Sequence, residues 1–165
     1  MRNNNRAGLE EVMKIIDSLQ PKPADTFFNR LLDFVCKNSY GIKFSEKLLE
    51  VMIKNKIKAS LVTFNTLLDL YINNKNHQMA WHLFESLLKA KDPNPDCFTF
   101  SIMINGVKTS KKPDILKAVE LFKMYKERLT VEVTVVNCLL DVYLTMGRKD
   151  LATALIKESK DVFGI

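Results

Sequence analysis

Asn29, Asn65 and Asn137 are the side chains whose type and spacing could do chemistry here. They open three copies of one five-residue motif: Asn29-Arg30-Leu31-Leu32-Asp33, Asn65-Thr66-Leu67-Leu68-Asp69 and Asn137-Cys138-Leu139-Leu140-Asp141. The first two copies are 36 residues apart and the third lies 72 further on, with the degenerate copy Ser101-Ile102-Met103-Ile104-Asn105 in the gap. An asparagine amide offers both a donor and an acceptor, and so does a serine hydroxyl. The chemistry open to such a series is hydrogen-bonded recognition at evenly spaced points. A second reading stays open beside it, because asparagine at a helix start is also a common cap. Asp33, Asp69 and Asp141 follow each asparagine by four residues, so they share its helix face and place negative charge beside it.

Other chemistries find no support in the sequence. There is no P-loop, Gly-rich dinucleotide turn, His-Glu-x-x-His or Gly-x-Ser-x-Gly, so no catalytic residue and no cofactor is expected. Cys36, Cys97 and Cys138 are odd in number and far apart, and His77 and His82 have no cysteine nearby. Zinc is therefore not expected, and reduced thiols fit an intracellular compartment. Cys36 and Cys138 fall in apolar stretches, as small buried side chains do. The net charge of +6 and a pI near 9.2 permit an anionic partner without requiring one. No apolar run reaches the ~18 residues of a membrane span, so no membrane partner is expected. The basic start Met1-Arg2-Asn3-Asn4-Asn5-Arg6 lacks an apolar secretory core, and Glu10 and Glu11 come early for an organellar transit peptide.

The elements that must hold the motif are helices. With 47% hydrophobic residues and only five glycines and five prolines, the composition is ordered and suits helix. Phe64, Leu67, Leu68 and Tyr71 follow the i, i+3, i+4, i+7 spacing of one helix face. Phe28, Leu31, Leu32 and Val35 repeat it, as do Phe100, Met103, Ile104 and Val107, then Val136, Leu139, Leu140 and Tyr143. A second helix follows in each unit, where a small residue precedes two large ones: Ser45 with Leu48 and Leu49, Ala80 with Leu83 and Phe84, Ala118 with Leu121 and Phe122, Ala152 with Leu155 and Ile156. The small side chain lets the helices of a hairpin approach closely. Pro93-Asn94-Pro95-Asp96 and Pro21-Lys22-Pro23-Ala24-Asp25 break the chain between units, and Ser60 stands where Asp96 stands one unit later.

A fixed period of this size marks a repeat array. The expected fold is all-α, a right-handed α-solenoid of antiparallel helical hairpins. The units expected are 26–61, 62–97, 98–133 and 134–165, the last truncated, after residues 1–25 with a lone helix over about 7–19. Both ends read as cuts through an array, where capping helices or a neighbour would be needed.

Val62-Thr63-Phe64-Asn65-Thr66-Leu67-Leu68-Asp69-Leu70-Tyr71, followed by Ala80, Leu83 and Phe84 and then Pro95-Asp96, resembles a pentatricopeptide repeat (PPR). Phe98-Thr99-Phe100-Ser101 with Ala118, Leu121 and Phe122 resembles it one unit on. The resemblance covers nearly the whole chain as a P-type array of about four repeats. The tetratricopeptide repeat shares the second-helix pattern, but it wants a small residue where Leu32, Leu68, Ile104 and Leu140 stand, and its period is shorter.

The resemblance implies single-stranded RNA as partner, with one base read per repeat by two or three side chains. It assigns the first base reader to Asn29, Asn65, Ser101 and Asn137, and the second, at the end of the unit, to Ser60, Asp96 and Glu132. Thr26, Val62, Phe98 and Thr134 would clamp each base by stacking. The family's code gives U for Asn with Asp and C for Asn with Ser. Ser101 with Glu132 points to a purine, G. Lys37 and Lys108, late in first helices, could meet phosphates or simply be solvated. Trp81 reads as packing, and His77 and His82 as surface residues. The family acts mostly in mitochondria and plastids, on RNA processing, stability or translation; without a clear transit peptide the cytoplasm stays open. The alternative function is a protein-interaction scaffold within a larger assembly, since a few bases at about 1–3 kcal/mol per stack make little specific affinity.

Overall fold

The computed structural model describes residues 11, 14, 15, 18, 24–37, 42–90 and 92–164. The lone helix expected over 7–19 falls largely outside them. Eight α-helices follow in order: α1 (Asp25–Lys37), α2 (Ile42–Lys54), α3 (Leu61–Asn73), α4 (His77–Lys89), α5 (Cys97–Thr109), α6 (Ile115–Arg128), α7 (Val133–Thr145) and α8 (Lys149–Glu158), with a π-helical turn at Ser159–Phe163. Among the described residues there is no strand, and the chain is all-α. The odd-numbered helices begin at Asp25, Leu61, Cys97 and Val133, which keeps the 36-residue period of the motif.

The chain divides into two compact units, the first ending at Leu70 and the second starting at Tyr71, with the boundary inside the α3 segment. In the first unit α1 packs against α2. Phe28 and Leu32 of α1 are buried, as are Phe44, Leu48 and Met52 of α2 and Leu67 and Leu68 of α3. Ser45 is buried at the small-residue position of α2, where its hydroxyl donates to the carbonyl of Ile42 at 2.7 Å and so stays satisfied.

In the second unit α5 packs on α4, α6 and α7, and α7 packs on α6 and α8. Ala80, Ala118 and Ala152 are buried, as their place before each large pair predicts. Phe100, Met103, Ile104 and Val107 form the buried face of α5. Gly106 belongs to the same helix, and a Cβ there would sit 2.5 Å from Cδ1 of Ile72, so the missing side chain lets α5 close on the last turn of α3. The connection 110–114 is longer than its counterpart 74–76, and the following boundary 129–132 is shorter than 90–96, so the period survives.

Three helices end in the same hydrogen-bonded turn. The amide of Ile57 donates to Met52, that of Asn76 to Tyr71 and that of Arg148 to Tyr143, each across five residues at 2.8–2.9 Å. This Schellman turn needs a left-handed residue just past the helix. Gly147 (φ 72°) supplies it after α7, but Lys56 (φ 57°) and Lys75 (φ 60°) supply it after α2 and α3. A non-glycine residue pays about 1–2 kcal/mol for that conformation, and glycine loses part of the gain to its freer unfolded chain. Lys75→Gly is therefore expected to stabilise the second unit by about 0.5–1 kcal/mol. Urea denaturation checks it, and a lower midpoint would show that the lysine side chain contributes more than its strained backbone costs.

Candidate functional site

The second residue of each odd-numbered helix is exposed, and one turn further the motif position follows on the same face. Thr26, Val62, Phe98 and Thr134 are all exposed. Val62 and Phe98 are each 62% exposed although both are apolar. Three residues on, Asn29 and Asn65 are half-buried, Asn137 is exposed, and Ser101 is only 8% exposed.

In the first unit the structure brings Asn29 and Ser60 together. Nδ2 of Asn29 donates to Oγ of Ser60 at 2.9 Å. Oγ1 of Thr63 donates to Oδ1 of Asn29, and the Ser60 and Thr63 hydroxyls lie 3.2 Å apart. The three side chains thus close a ring in which each polar group has a neighbour to serve. Ser60 also stands at the N-cap of α3, where the amide of Thr63 donates to its Oγ at 3.3 Å. The ring engages one N–H and one lone pair of the Asn29 amide. Its second N–H and second lone pair are what a ligand edge could meet. The capping reading of Asn29 does not describe this site: its amide bonds to residues more than thirty positions away.

Asn65 lies half-buried on α3 in the first unit. In the second unit Asp96 N-caps α5 through a capping box: the Thr99 amide and hydroxyl both donate to Oδ1 of Asp96 at 2.8 Å, and the Asp96 amide donates to Oγ1 of Thr99 at 3.2 Å. Thr63 and Thr99 occupy equivalent positions and are 1% and 0% exposed. Sequence reasoning missed both, because it followed apolar periodicity and a threonine on a buried face gives no apolar signal. The usable signal was a hydroxyl three residues after each unit-end polar residue, which is the spacing of a capping box.

The next boundary differs. Glu132 starts α7 without a side-chain cap, and Val135 stands where Thr63 and Thr99 stood. Burial pushes the pKa of the neighbouring Cys97 thiol up, and the Glu132 carboxylate and Asp96 push it the same way. The Glu132 amide donates to the Tyr125 hydroxyl at 3.0 Å, and that hydroxyl donates to the Thr130 carbonyl at 2.7 Å. Burial raises the Tyr125 pKa. Oγ of Ser101 is buried with no hydrogen-bond partner, so no bond joins it to Glu132.

Residues 59–109 match the PPR repeat family. A pentatricopeptide repeat-containing protein of Arabidopsis thaliana is 33% identical over 86 residues, which is 52% of this chain and 17% of that protein. The mitochondrial 15S rRNA processing factor of Schizosaccharomyces japonicus is 29% identical over 125 residues, 73% of this chain and 18% of that protein. Residues 59–109 are thus similar to pentatricopeptide repeats. The chain spans less than a fifth of the length of either relative.

Lys108 pairs its ammonium with Asp141 across the α5–α7 contact, which also neutralises the aspartate of the fourth motif copy. Beside it Nδ2 of Asn105 reaches Sγ of Cys138 at 3.3 Å. The side chain of Lys37 lies outside the described residues. Trp81 packs edge-on against Phe84 at 6.0 Å, with the Lys117 ammonium 5.7 Å from its ring. His82 is exposed, but His77 is half-buried and its Nε2 is enclosed without a partner, a departure from the surface position expected for it. Among the described residues no three His, Cys, Asp or Glu side chains group as metal ligands, and no helix is long and apolar enough to cross a membrane.

Proposed function

We propose that this chain binds single-stranded RNA without catalysis, one base per repeat, through the four repeats 26–61, 62–97, 98–133 and 134–165. The observation that carries the reading is the Asn29–Ser60 hydrogen bond at 2.9 Å. Two residues assigned to one base by the repeat register, and 31 positions apart in the chain, are hydrogen-bonded to each other. The exposed apolar Val62 and Phe98 support the assignment of stacking walls, since such residues otherwise gain by burial. On this reading Asn29 with Ser60 selects C, Asn65 with Asp96 selects U, and Ser101 with Glu132 takes a purine, G. Asn137 is the first reader of the fourth repeat. Lys37 and Lys108 remain the phosphate candidates, Lys108 by exchanging Asp141 for a phosphate. The setting proposed is the processing, stability or translation of mitochondrial or plastid transcripts, in keeping with the name of the Schizosaccharomyces japonicus relative, a mitochondrial 15S rRNA processing factor.

The test is fluorescence anisotropy at low salt with a randomised single-stranded RNA pool, followed by oligomers that differ at one base. Binding that tightens as salt falls and that depends on single bases supports the proposal. No binding at low salt overturns it. The scaffold alternative then takes its place, and the groove lined by Met79, Trp81, Leu88, Leu121 and Met124 on α4 and α6 is where a protein partner would first be sought.

A further inference from the structure

We infer that Thr63 and Thr99 are positioning residues, whose buried hydroxyls fix the orientation of the unit-end readers Ser60 and Asp96 and, in the first repeat, decide which end of the Asn29 amide faces the base. The inference rests on the RNA-reading proposal and adds residues that it does not assign.

Three boundaries within one chain make the argument. At the first, the Thr63 hydroxyl touches both readers: it donates to Oδ1 of Asn29 and lies 3.2 Å from the Ser60 hydroxyl. At the second, the Thr99 hydroxyl donates to Oδ1 of Asp96 at 2.8 Å and accepts from the Asp96 amide at 3.2 Å. At the third, the equivalent residue is Val135, which is buried and has no hydroxyl to offer. There the unit-end side chain of Glu132 makes no cap bond. The two capped boundaries share a buried hydroxyl that the uncapped one lacks, and the uncapped one also carries Glu in place of Ser or Asp.

That hydroxyl bears on base choice and not only on helix stability. With Oδ1 of Asn29 accepting from Thr63 and one N–H given to Ser60, the amide cannot flip without breaking both bonds. The remaining N–H then faces outward as a donor. It matches N3 of cytosine, an acceptor, and opposes N3–H of uracil, a donor. Removing the Thr63 hydroxyl releases Oδ1 and lets the amide turn either end to the base.

Thr63→Val keeps the branched shape and removes only the hydroxyl; Thr63→Ser keeps the hydroxyl. Both are compared with the unmodified chain by anisotropy, using RNA oligomers identical except for cytosine or uracil at the first-repeat base. Thr63→Val is expected to cut the C-over-U affinity ratio about fivefold, the worth of one hydrogen bond, and Thr63→Ser to keep it within about twofold. An equal loss of affinity for both bases with the ratio intact would mean a purely structural role and overturn the inference, as would an unchanged ratio. If Thr63→Val does not fold, the combined change Glu132→Asp with Val135→Thr carries the test instead. It installs the missing hydroxyl and should sharpen discrimination at the third base about fivefold; no sharpening overturns the inference. An unmodified chain that binds no RNA removes the underlying proposal, and this inference with it, whereas base-dependent binding untouched by Thr63→Val removes the inference alone.

Discussion

Phe100→Ala is expected to destabilise the second unit by about 3–5 kcal/mol, the range for deleting a buried aromatic ring. Phe100 is fully buried on α5, and its ring stands between Phe84 of α4 at 5.6 Å and Tyr125 of α6 at 5.4 Å. Trp81 continues the series on one side, and Phe122 and Phe163 on the other. The cost belongs at the upper end of the range because the surroundings cannot collapse into the space. Tyr125 is tethered at its hydroxyl by the Thr130 carbonyl and the Glu132 amide, and moving its ring would break both bonds. Phe100→Leu fills more of the same space and should cost clearly less than Ala. Urea denaturation followed by far-UV circular dichroism measures both. Equal midpoints for the two variants would show that the site relaxes and that the ring series is not a rigid column.

Ser60→Asp is expected to turn the first site's preference from cytosine to uracil, a swing of about tenfold in the affinity ratio, or one to two hydrogen bonds. A carboxylate only accepts, so it draws the Thr63 hydroxyl to itself, as Asp96 draws that of Thr99 at 2.8 Å. Oδ1 of Asn29 is then released while its N–H remains bound at the unit end. The released oxygen accepts from N3–H of uracil. The substitution keeps an N-cap at α3, because aspartate caps as well as serine does and already caps α5 here. Stability should hardly change, and a changed base preference cannot then be blamed on unfolding. Oligomers with each of the four bases at that position decide the matter. An unaltered order of affinities would show that Ser60 does not take part in reading.

Much of the fold was legible because the signals repeat. The helix starts at Asp25, Leu61, Cys97 and Val133 follow the motif period, and Ala80, Ala118 and Ala152 are buried where a small residue before a large pair requires it. Apolar periodicity picked the buried faces well for Phe100, Met103, Ile104 and Val107, and less well for Phe64, Leu31 and Leu140, which are only half-buried. Which face a residue takes is a matter of angle along one helix, but how deep it sits depends on the neighbouring helix, and no local pattern carries that. The same limit applies to the site. The exposure of Val62 and Phe98 could be assigned by register, whereas the missing cap at Glu132 and the burial of the Ser101 hydroxyl depend on what packs behind them. Thr63 and Thr99 were hidden because their value lies in a single hydrogen atom directed at a residue of the preceding unit.

The side-chain bonds that join one hairpin to the next bear on folding speed. Asn29 to Ser60, Lys126 to Glu158, Asn105 to Cys138, Lys108 to Asp141 and Thr63 to Asn29 span 31, 32, 33, 33 and 34 residues. Each loop that must close is little longer than one repeat, so its entropic cost stays nearly constant along the chain. Low contact order of this kind goes with fast folding. A nascent chain would need to emerge by only one further hairpin before the preceding one could lock, so assembly can keep step with synthesis, and a slowed ribosome would leave at most one hairpin waiting for its neighbour.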